Sequence, residues 1–204
     1  VHFPGGNVRR LSLERLGGPG AWLQATPVAG GGGLQVLVRS ALAGHEPVFA
    51  DEHAHLAEAI ALIPGPRRYT SLVPTQLHRL VESGEADLLR AFDAVLIGGA
   101  ATPVDLLEAL QSAGVQVVRT YGMSETSGGC VYDGVPLDGV QLKLDDTGQV
   151  MISGPGLFDG YADPVATAAA LKDGWFSTAD LGELDADGRL RITGRSDDVV
   201  ISGG

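Results

Sequence analysis

The sequence predicts an α/β protein: a mostly parallel sheet with flanking helices, followed by a β-rich lobe. Three observations predict it. Ala94-Val95-Leu96-Ile97 is a continuous apolar run, the pattern of a strand buried on both faces. A helical stripe of Val104, Leu106, Leu107 and Leu110 separates it from a second run, Val115-Gln116-Val117-Val118, which makes a βαβ unit with parallel strands and a right-handed crossover. Beyond Cys130 the texture changes to short alternating strands joined by Asp/Gly turns, the pattern of hairpins.

Leu34 to Ala43 reads as an apolar helix closed by Gly44. Val48-Phe49-Ala50 is a short strand. Leu56 to Ile63 has helical spacing and stops at Pro64-Gly65-Pro66. Tyr69 to Val73 reads as a strand, and Thr75 to Val81 as a helix behind Pro74. After the Ala94–Ile97 strand comes the turn Gly98-Gly99-Ala100-Ala101. Thr102 is then placed to cap a helix, with Pro103 at its first position, Asp105 at its positive end and Gly114 past its last residue. Val140 to Leu144, the turn Asp145-Asp146-Thr147-Gly148 and Gln149 to Ile152 form one hairpin. Leu184, Asp185 to Gly188 and Arg189 to Thr193 form another, with a loop and short helix at Pro164 to Leu171 between them. The expected organisation is an α/β lobe at 1–131, a β-rich lobe at 132–195 and a short terminal segment at 196–204.

The 204 residues suffice for a buried core. With 44% apolar residues and a mean hydropathy of +0.14, a disordered chain is excluded. Thirty glycines and eleven prolines without a period indicate many tight turns. A net charge of −11 opposes non-specific binding to nucleic acid or an anionic membrane. It leaves room for a nucleotide whose phosphates are screened by a cation and backbone N–H groups. Cys130 is the single cysteine, so no intrachain disulfide forms. No apolar run approaches a membrane span, and Val1-His2-Phe3-Pro4-Gly5-Gly6 lacks a signal-peptide layout. A soluble, cytoplasmic protein is expected. The five histidines do not cluster with cysteine as metal ligands do.

The parallel strands set the functional expectation. Their C-terminal ends share one side of the sheet, so the Gly98–Ala100 turn and the Thr120–Thr126 segment meet where α/β proteins bind ligands. Tyr121-Gly122-Met123-Ser124-Glu125-Thr126 gathers an aromatic ring, hydroxyls and a carboxylate in what reads as one loop. Such a set can stack on adenine, donate to phosphate oxygens and hold Mg²⁺; the same composition also suits a plain polar loop. In Gly174-Trp175-Phe176-Ser177-Thr178-Ala179-Asp180-Leu181-Gly182, Asp180 can accept both hydroxyls of a ribose or, equally, cap a turn. Arg195, in Gly194-Arg195-Ser196-Asp197-Asp198, can reach a ribose or phosphate or belong to a solvated turn.

Together, in order and spacing, these three stretches resemble the adenylate-forming superfamily of acyl-CoA synthetases, luciferases and peptide-synthetase adenylation domains. Gly98-Gly99-Ala100 is similar to its adenine-binding turn, and Gly154-Pro155 through Gly160-Tyr161 to its "GP…GY" segment. The resemblance is strong over about 70–204 and looser over 10–69. It implies the large N-terminal domain of that fold, with ATP, Mg²⁺ and coenzyme A as ligands of the reaction. Gly98, Gly99 and Ala100 would wall the adenine and acyl pocket, with Thr120, Tyr121 and Gly122 at the nucleotide and Tyr121 stacked on adenine. Ser124 would meet the phosphate and Glu125 would bind Mg²⁺, which makes these two the catalytic pair. Asp180 would hold the ribose hydroxyls, Ile192 would touch adenine, Arg195 would contact the ribose and Asp197 would be the hinge toward a C-terminal domain.

Three further stretches are similar to actinobacterial members of the o-succinylbenzoate–CoA ligase family of menaquinone biosynthesis: Leu16 to Gly20, Arg68 to Val73 and Ser127 to Gly134. A small carboxylic acid, ATP and CoA are the implied partners, and a homodimer stays open. Ser127, Arg119, Thr70 and Ser71 are candidate donors for the far carboxylate of such an acid. Another acyl- or aryl-CoA synthetase, an amino-acid adenylation domain and a non-catalytic nucleotide-binding protein stay open as alternatives. The family's phosphate loop, its aromatic–His pair and its C-terminal lysine domain have no counterpart here. Where the family has the aromatic–His pair, the sequence reads Pro27-Val28-Ala29-Gly30, and no Lys or Ser/Thr follows Gly30-Gly31-Gly32-Gly33 in phosphate-loop fashion. The sequence is therefore expected to be part of a longer enzyme. By itself it should bind adenosine nucleotides and turn over poorly.

Overall fold

The computed structural model describes residues 7–197. The chain runs α1 (Asn7–Arg15), β1 (Ala21–Gln24), α2 (Gly31–Ala43), β2 (Val48–Phe49), α3 (Leu56–Leu62), β3 (Arg68–Leu72), α4 (Pro74–Glu82), β4 (Ala94–Ile97), α5 (Val104–Ser112) and β5 (Val117–Met123). It continues with β6 (Gly128–Tyr132), β7 (Val135–Pro136), β8 (Gln141–Leu144), β9 (Gln149–Ser153), α6 (Pro164–Ala170), β10 (Leu171–Lys172), β11 (Trp175–Leu184) and β12 (Leu190–Arg195).

The first sheet has the order β2-β1-β3-β4-β5-β6-β7. Its first five strands are parallel, whereas β6 and β7 join antiparallel. The four residues of β4 show why the run is uninterrupted. Val95 and Ile97 enter one apolar cluster, with Ala59 and Ile60 of α3, Leu77 of α4 and Leu107 and Leu110 of α5. Ala94 and Leu96 enter another on the opposite face, with Leu13 of α1 and Val36 of α2. Both faces are covered, so alternation has no polar side to show. Each of the buried Val, Leu and Ile side chains contributes about 1.5–3 kcal/mol.

The second sheet is antiparallel, in the order β10-β11-β9-β8, with β12 also paired to β11. Cys130 and Val131 of β6 pack with Val150, Ile152 and Leu190, so a third cluster joins the sheets. The first sheet extends to Pro136 and the second begins at Gln141.

Several local expectations are corrected. The helix read from Leu34 starts earlier: Gly31 to Gly33 form the first turn of α2, and a side chain at Gly33 would collide with the Pro27 carbonyl. Thr102 does not cap α5; Pro103 takes the N-cap position and its carbonyl accepts from Leu107 N–H at 3.2 Å. The strand read at 115–118 begins at Val117 and extends to Met123, because β6 folds back to pair with its second half. The segment beyond Asp197 lies outside the described residues, as does the start of the chain.

Candidate functional site

The extension of β5 determines the site's architecture. Tyr121, Gly122 and Met123, read from sequence as loop, are strand residues paired to Val131, Gly129 and Gly128. A Cβ on Gly122 would overlap the Gly128 carbonyl, so glycine permits the close approach of β5 and β6. Only Ser124–Thr126 forms the connection, as one 3₁₀ turn closed by Ser127 at φ +58°. The buried Thr126 hydroxyl accepts from Met123 N–H at 2.9 Å and donates to the Gly128 carbonyl at 2.8 Å. Ser124 and Glu125 are thereby placed at the tip of this hairpin.

The glycine turn after β4 lies beside it. Gly98 stands so close to Thr120 that a Cβ would overlap Thr120 Oγ1, and that hydroxyl donates to the Ile97 carbonyl at 3.2 Å. Gly99 has φ +85°, and Gly99 and Ala100 are exposed. The two adjacent parallel strands therefore present Gly98–Ala100 and Thr120–Glu125 at one edge.

Asp180 arrives from the second sheet. Between Ser177 and Leu181 the pairing of β11 to β9 slips, and β12 shows a further irregularity opposite Leu181 and Gly182. Bulges of this kind re-aim side chains. Thr178, buried, accepts from Asp180 N–H at 3.0 Å and donates to the Val150 carbonyl at 2.9 Å, which anchors the bulge. Asp180 Oδ2 then accepts from Tyr121 Oη at 2.8 Å, and Oδ1 lies 3.4 Å from Arg195 Nη1. Arg195 also forks onto Asp197, at 2.8 Å from Nε and 2.7 Å from Nη2. Three side chains distant in sequence, Tyr121, Asp180 and Arg195, thus form one connected group. Ile192 stands on β12 opposite Gly182, and 37% of it is exposed.

The electrostatics derive from these contacts. Burial holds the Tyr121 phenol protonated far above the ordinary range; Thr178 pulls the other way and Asp180 adds a further push upward. Hydrogen bonds from Arg195 hold the Asp197 carboxyl below its ordinary value. Cys130 is buried and its thiol is pushed up to about 11, so it is no nucleophile.

Glu125 has a partner that the sequence reading did not assign. Tyr161, the tyrosine of the "GP…GY" segment, donates to Glu125 Oε1 at 2.8 Å, and Phe158 N–H donates to the Glu125 carbonyl at 2.9 Å. Burial and the Glu125 contact push the Tyr161 phenol up to about 12. The Glu125 carboxylate and the exposed Ser124 hydroxyl are oxygen donors. Mg²⁺ typically takes one or two carboxylates and leaves its other positions to water and substrate phosphates. The residues present fit a cation that arrives with a nucleotide, and no group of three or more His, Cys, Asp or Glu suited to caging a metal occurs among the described residues.

The candidate donors for a second carboxylate are largely engaged. Ser127 donates to the Gly156 carbonyl at 2.9 Å, Thr70 to the Leu23 carbonyl at 3.2 Å, and Arg119 pairs with Asp133 at 3.3 Å. Ser71, on β3, is partly buried. Sequence reasoning passed over Arg39, whose signal was a lone cation inside the apolar stretch of α2. It is 4% exposed, lies 5.2 Å from the Trp22 ring centroid and donates to Tyr132 Oη at 3.1 Å. Its Nε is buried without a partner, and no carboxylate pairs with it among the described residues.

No helix among the described residues is long and apolar enough to cross a membrane. Residues 10–162 match the family model described as AMP-binding enzyme. The chain is 48% identical over 199 residues to the "Probable 2-succinylbenzoate–CoA ligase" of Mycobacterium tuberculosis, covering 94% of this chain and 52% of that protein. Among solved structures it is similar to o-succinylbenzoate coenzyme A synthetase from Bacillus subtilis in complex with ATP and magnesium ion, with a TM-score of 0.79 and 27% identity over 96% of this chain and 46% of the other. The same synthetase in complex with its acyl-adenylate intermediate gives a TM-score of 0.81 and 26% identity over 93% and 44%. The fold is that of the adenylate-forming enzymes, and the chain spans about half the length of the relatives it matches.

Proposed function

We propose, from the premise that this chain belongs to the AMP-binding enzyme family, that it forms the nucleotide- and acid-binding face of an ATP-dependent acid–CoA ligase acting on 2-succinylbenzoate. The observation that carries the reading is the connection of Tyr121, Asp180 and Arg195 at the edge where β4 and β5 end. Relatives named as 2-succinylbenzoate–CoA ligases support the choice of acid.

In this reading the Tyr121 ring bears the adenine, with Gly98, Gly99 and Ala100 as the pocket wall and Thr120, Gly122 and Ile192 beside it. Asp180 is pre-aimed: each of its oxygens keeps acceptor capacity beyond the bonds from Tyr121 and Arg195, so the carboxylate can receive two ribose hydroxyls. Ser124 donates to a phosphate oxygen. Glu125 holds the magnesium ion that accompanies the nucleotide, and the ion when bound offsets phosphate charge. The acid's carboxylate oxygen attacks the α-phosphorus, the bond to the β-phosphate breaks, and pyrophosphate leaves with its electron pair. The coenzyme A thiol, losing its proton, then attacks the acyl carbon and AMP departs. Positioning and charge stabilisation carry such chemistry without a protein nucleophile.

The second carboxylate of the acid needs a donor, and Arg39, a buried cation with a spare Nε, is the residue this reading assigns. Asp197 and residues 196–204 serve as the hinge between the two half-reactions, with residues 1–131 as the nucleotide- and acyl-binding lobe and 132–195 as the β-rich lobe beside it. A soluble, cytoplasmic setting suits substrates of this kind.

The test is titration calorimetry of AMP and ATP with Asp180→Ala in the intact protein, paired with pyrophosphate release over a panel of acids. Loss of nucleotide affinity and preference for 2-succinylbenzoate are expected. Unaltered affinity would remove the ribose role, and preference for another acid would change the substrate while leaving the adenylation reading in place.

A further inference from the structure

We infer that Tyr161 is a positioning residue, holding the Glu125 carboxylate in the orientation that presents Oε2 to the divalent cation of a bound nucleotide. The inference rests on the reading of Glu125 as that cation's carboxylate, and it adds a residue and a cause.

The geometry is specific. Glu125 sits at the hairpin tip and is only partly buried, and no hydrogen bond from its own turn to its carboxylate occurs among the described residues. The segment after β9 holds it twice. Phe158 N–H donates to the Glu125 main-chain carbonyl at 2.9 Å, and Tyr161 Oη donates to Oε1 at 2.8 Å. No hydrogen bond to Oε2 occurs among the described residues, so one carboxylate oxygen is oriented and the other is left for a ligand. This is the outer-shell arrangement that fixes a metal-binding carboxylate before the metal arrives.

Tyr161 is itself held. Its ring meets Phe158 edge-on at 4.7 Å, and Phe158, 2% exposed, meets Phe176 of β11 edge-on at 5.4 Å. Its N–H donates to Thr167 Oγ1 at 2.9 Å. Gly160, at φ +149°, has no room for a side chain, since a Cβ would lie 2.7 Å from Thr167 Cγ2. The phenol is therefore anchored by the second sheet and α6 while it addresses a residue of the first. A merely structural tyrosine would use its ring; the donation to Oε1 separates the two roles.

Tyr161→Phe keeps the ring and deletes the donor. In the intact protein, Mn²⁺ binding in the presence of ATP is tracked by electron paramagnetic resonance of the free ion, beside metal-free AMP binding by calorimetry. Tyr161→Phe should weaken Mn²⁺ about tenfold, at the lower end of what loss of an outer-shell partner costs. AMP affinity and the ligand-free thermal midpoint should not move. Thr167→Val, which loosens the anchor while leaving the phenol, should shift Mn²⁺ affinity in the same direction and by less. Glu125→Gln run in parallel separates the two readings. If Glu125→Gln weakens Mn²⁺ while Tyr161→Phe and Thr167→Val do not, Tyr161 is structural and the inference fails alone. If Glu125→Gln also leaves Mn²⁺ unchanged, the assignment of Glu125 fails and takes the inference with it.

Discussion

The hydroxyl of Tyr121 donates to Oδ2 of Asp180 at 2.8 Å, a hydrogen bond across 59 residues that ties the last parallel strand of one sheet to the bulge of the other. Tyr121→Phe retains the ring and loses this bond to a charged acceptor, worth about 1.5–3 kcal/mol. AMP affinity is expected to fall by about tenfold or more, measured by calorimetry. Because burial keeps the phenol protonated, the effect of the substitution should be constant from pH 6 to pH 9.

Gly122→Ala places a methyl group into the Gly128 carbonyl. The strands must part, at a cost of about 1–3 kcal/mol by analogy with overpacked cores. Urea denaturation should show the loss, and AMP binding should weaken with it, because the displaced hairpin carries both Tyr121 and Glu125.

Phe158 is buried between two aromatic edges. Phe158→Ala is expected to destabilise the protein by about 3–5 kcal/mol, read from the denaturation midpoint. Phe158→Leu should cost less and should leave nucleotide affinity nearly intact.

Arg39→Met removes a buried cation but keeps an unbranched apolar stem. Replacing a buried charge that has no ionic partner among the described residues by an apolar side chain should leave the thermal midpoint unchanged or raised. The KM for 2-succinylbenzoate should nonetheless rise by about 10–100-fold, the loss of a charged hydrogen bond, with the KM for ATP unmoved.

Acid should open the Arg195–Asp197 fork late. A carboxyl whose folded value lies below its unfolded value, about 3.9, contributes stability that is complete above that value and is lost as pH falls through the folded one. Asp197 is held down chiefly by hydrogen bonds from Arg195. Carboxyl ¹³C shifts should therefore be flat from pH 7 to about pH 4 and move only below it. Asp197→Asn should abolish that part of the titration.

What the sequence disclosed and what it concealed have physical causes. The β4–α5–β5 unit was legible because its signals are local: an apolar run, a helical stripe and a glycine stop. The proximity of Gly98 to Thr120 came from strand direction alone, and the union of Tyr121, Asp180 and Arg195 was anticipated through family resemblance. The extension of β5 to Met123 was not legible, since Tyr121-Gly122-Met123 is strand only because β6 returns beside it. The contact of Tyr161 with Glu125 depends on how the second sheet docks, over 36 residues of separation, and no local pattern encodes that. The sheets change between Pro136 and Gln141, whereas the sequence texture changes a few residues earlier, because β6 and β7 are short antiparallel strands like those of the second sheet yet pair with the first.

Ser196 N–H and Oγ both donate to the Ala179 carbonyl, at 2.8 and 3.0 Å, so the chain leaves β12 stitched to the residue immediately before Asp180. On the proposed reading of Asp180, a pull at Ser196 is thus delivered through the Ala179 carbonyl to the backbone that carries the ribose acceptor, so the two positions are mechanically one.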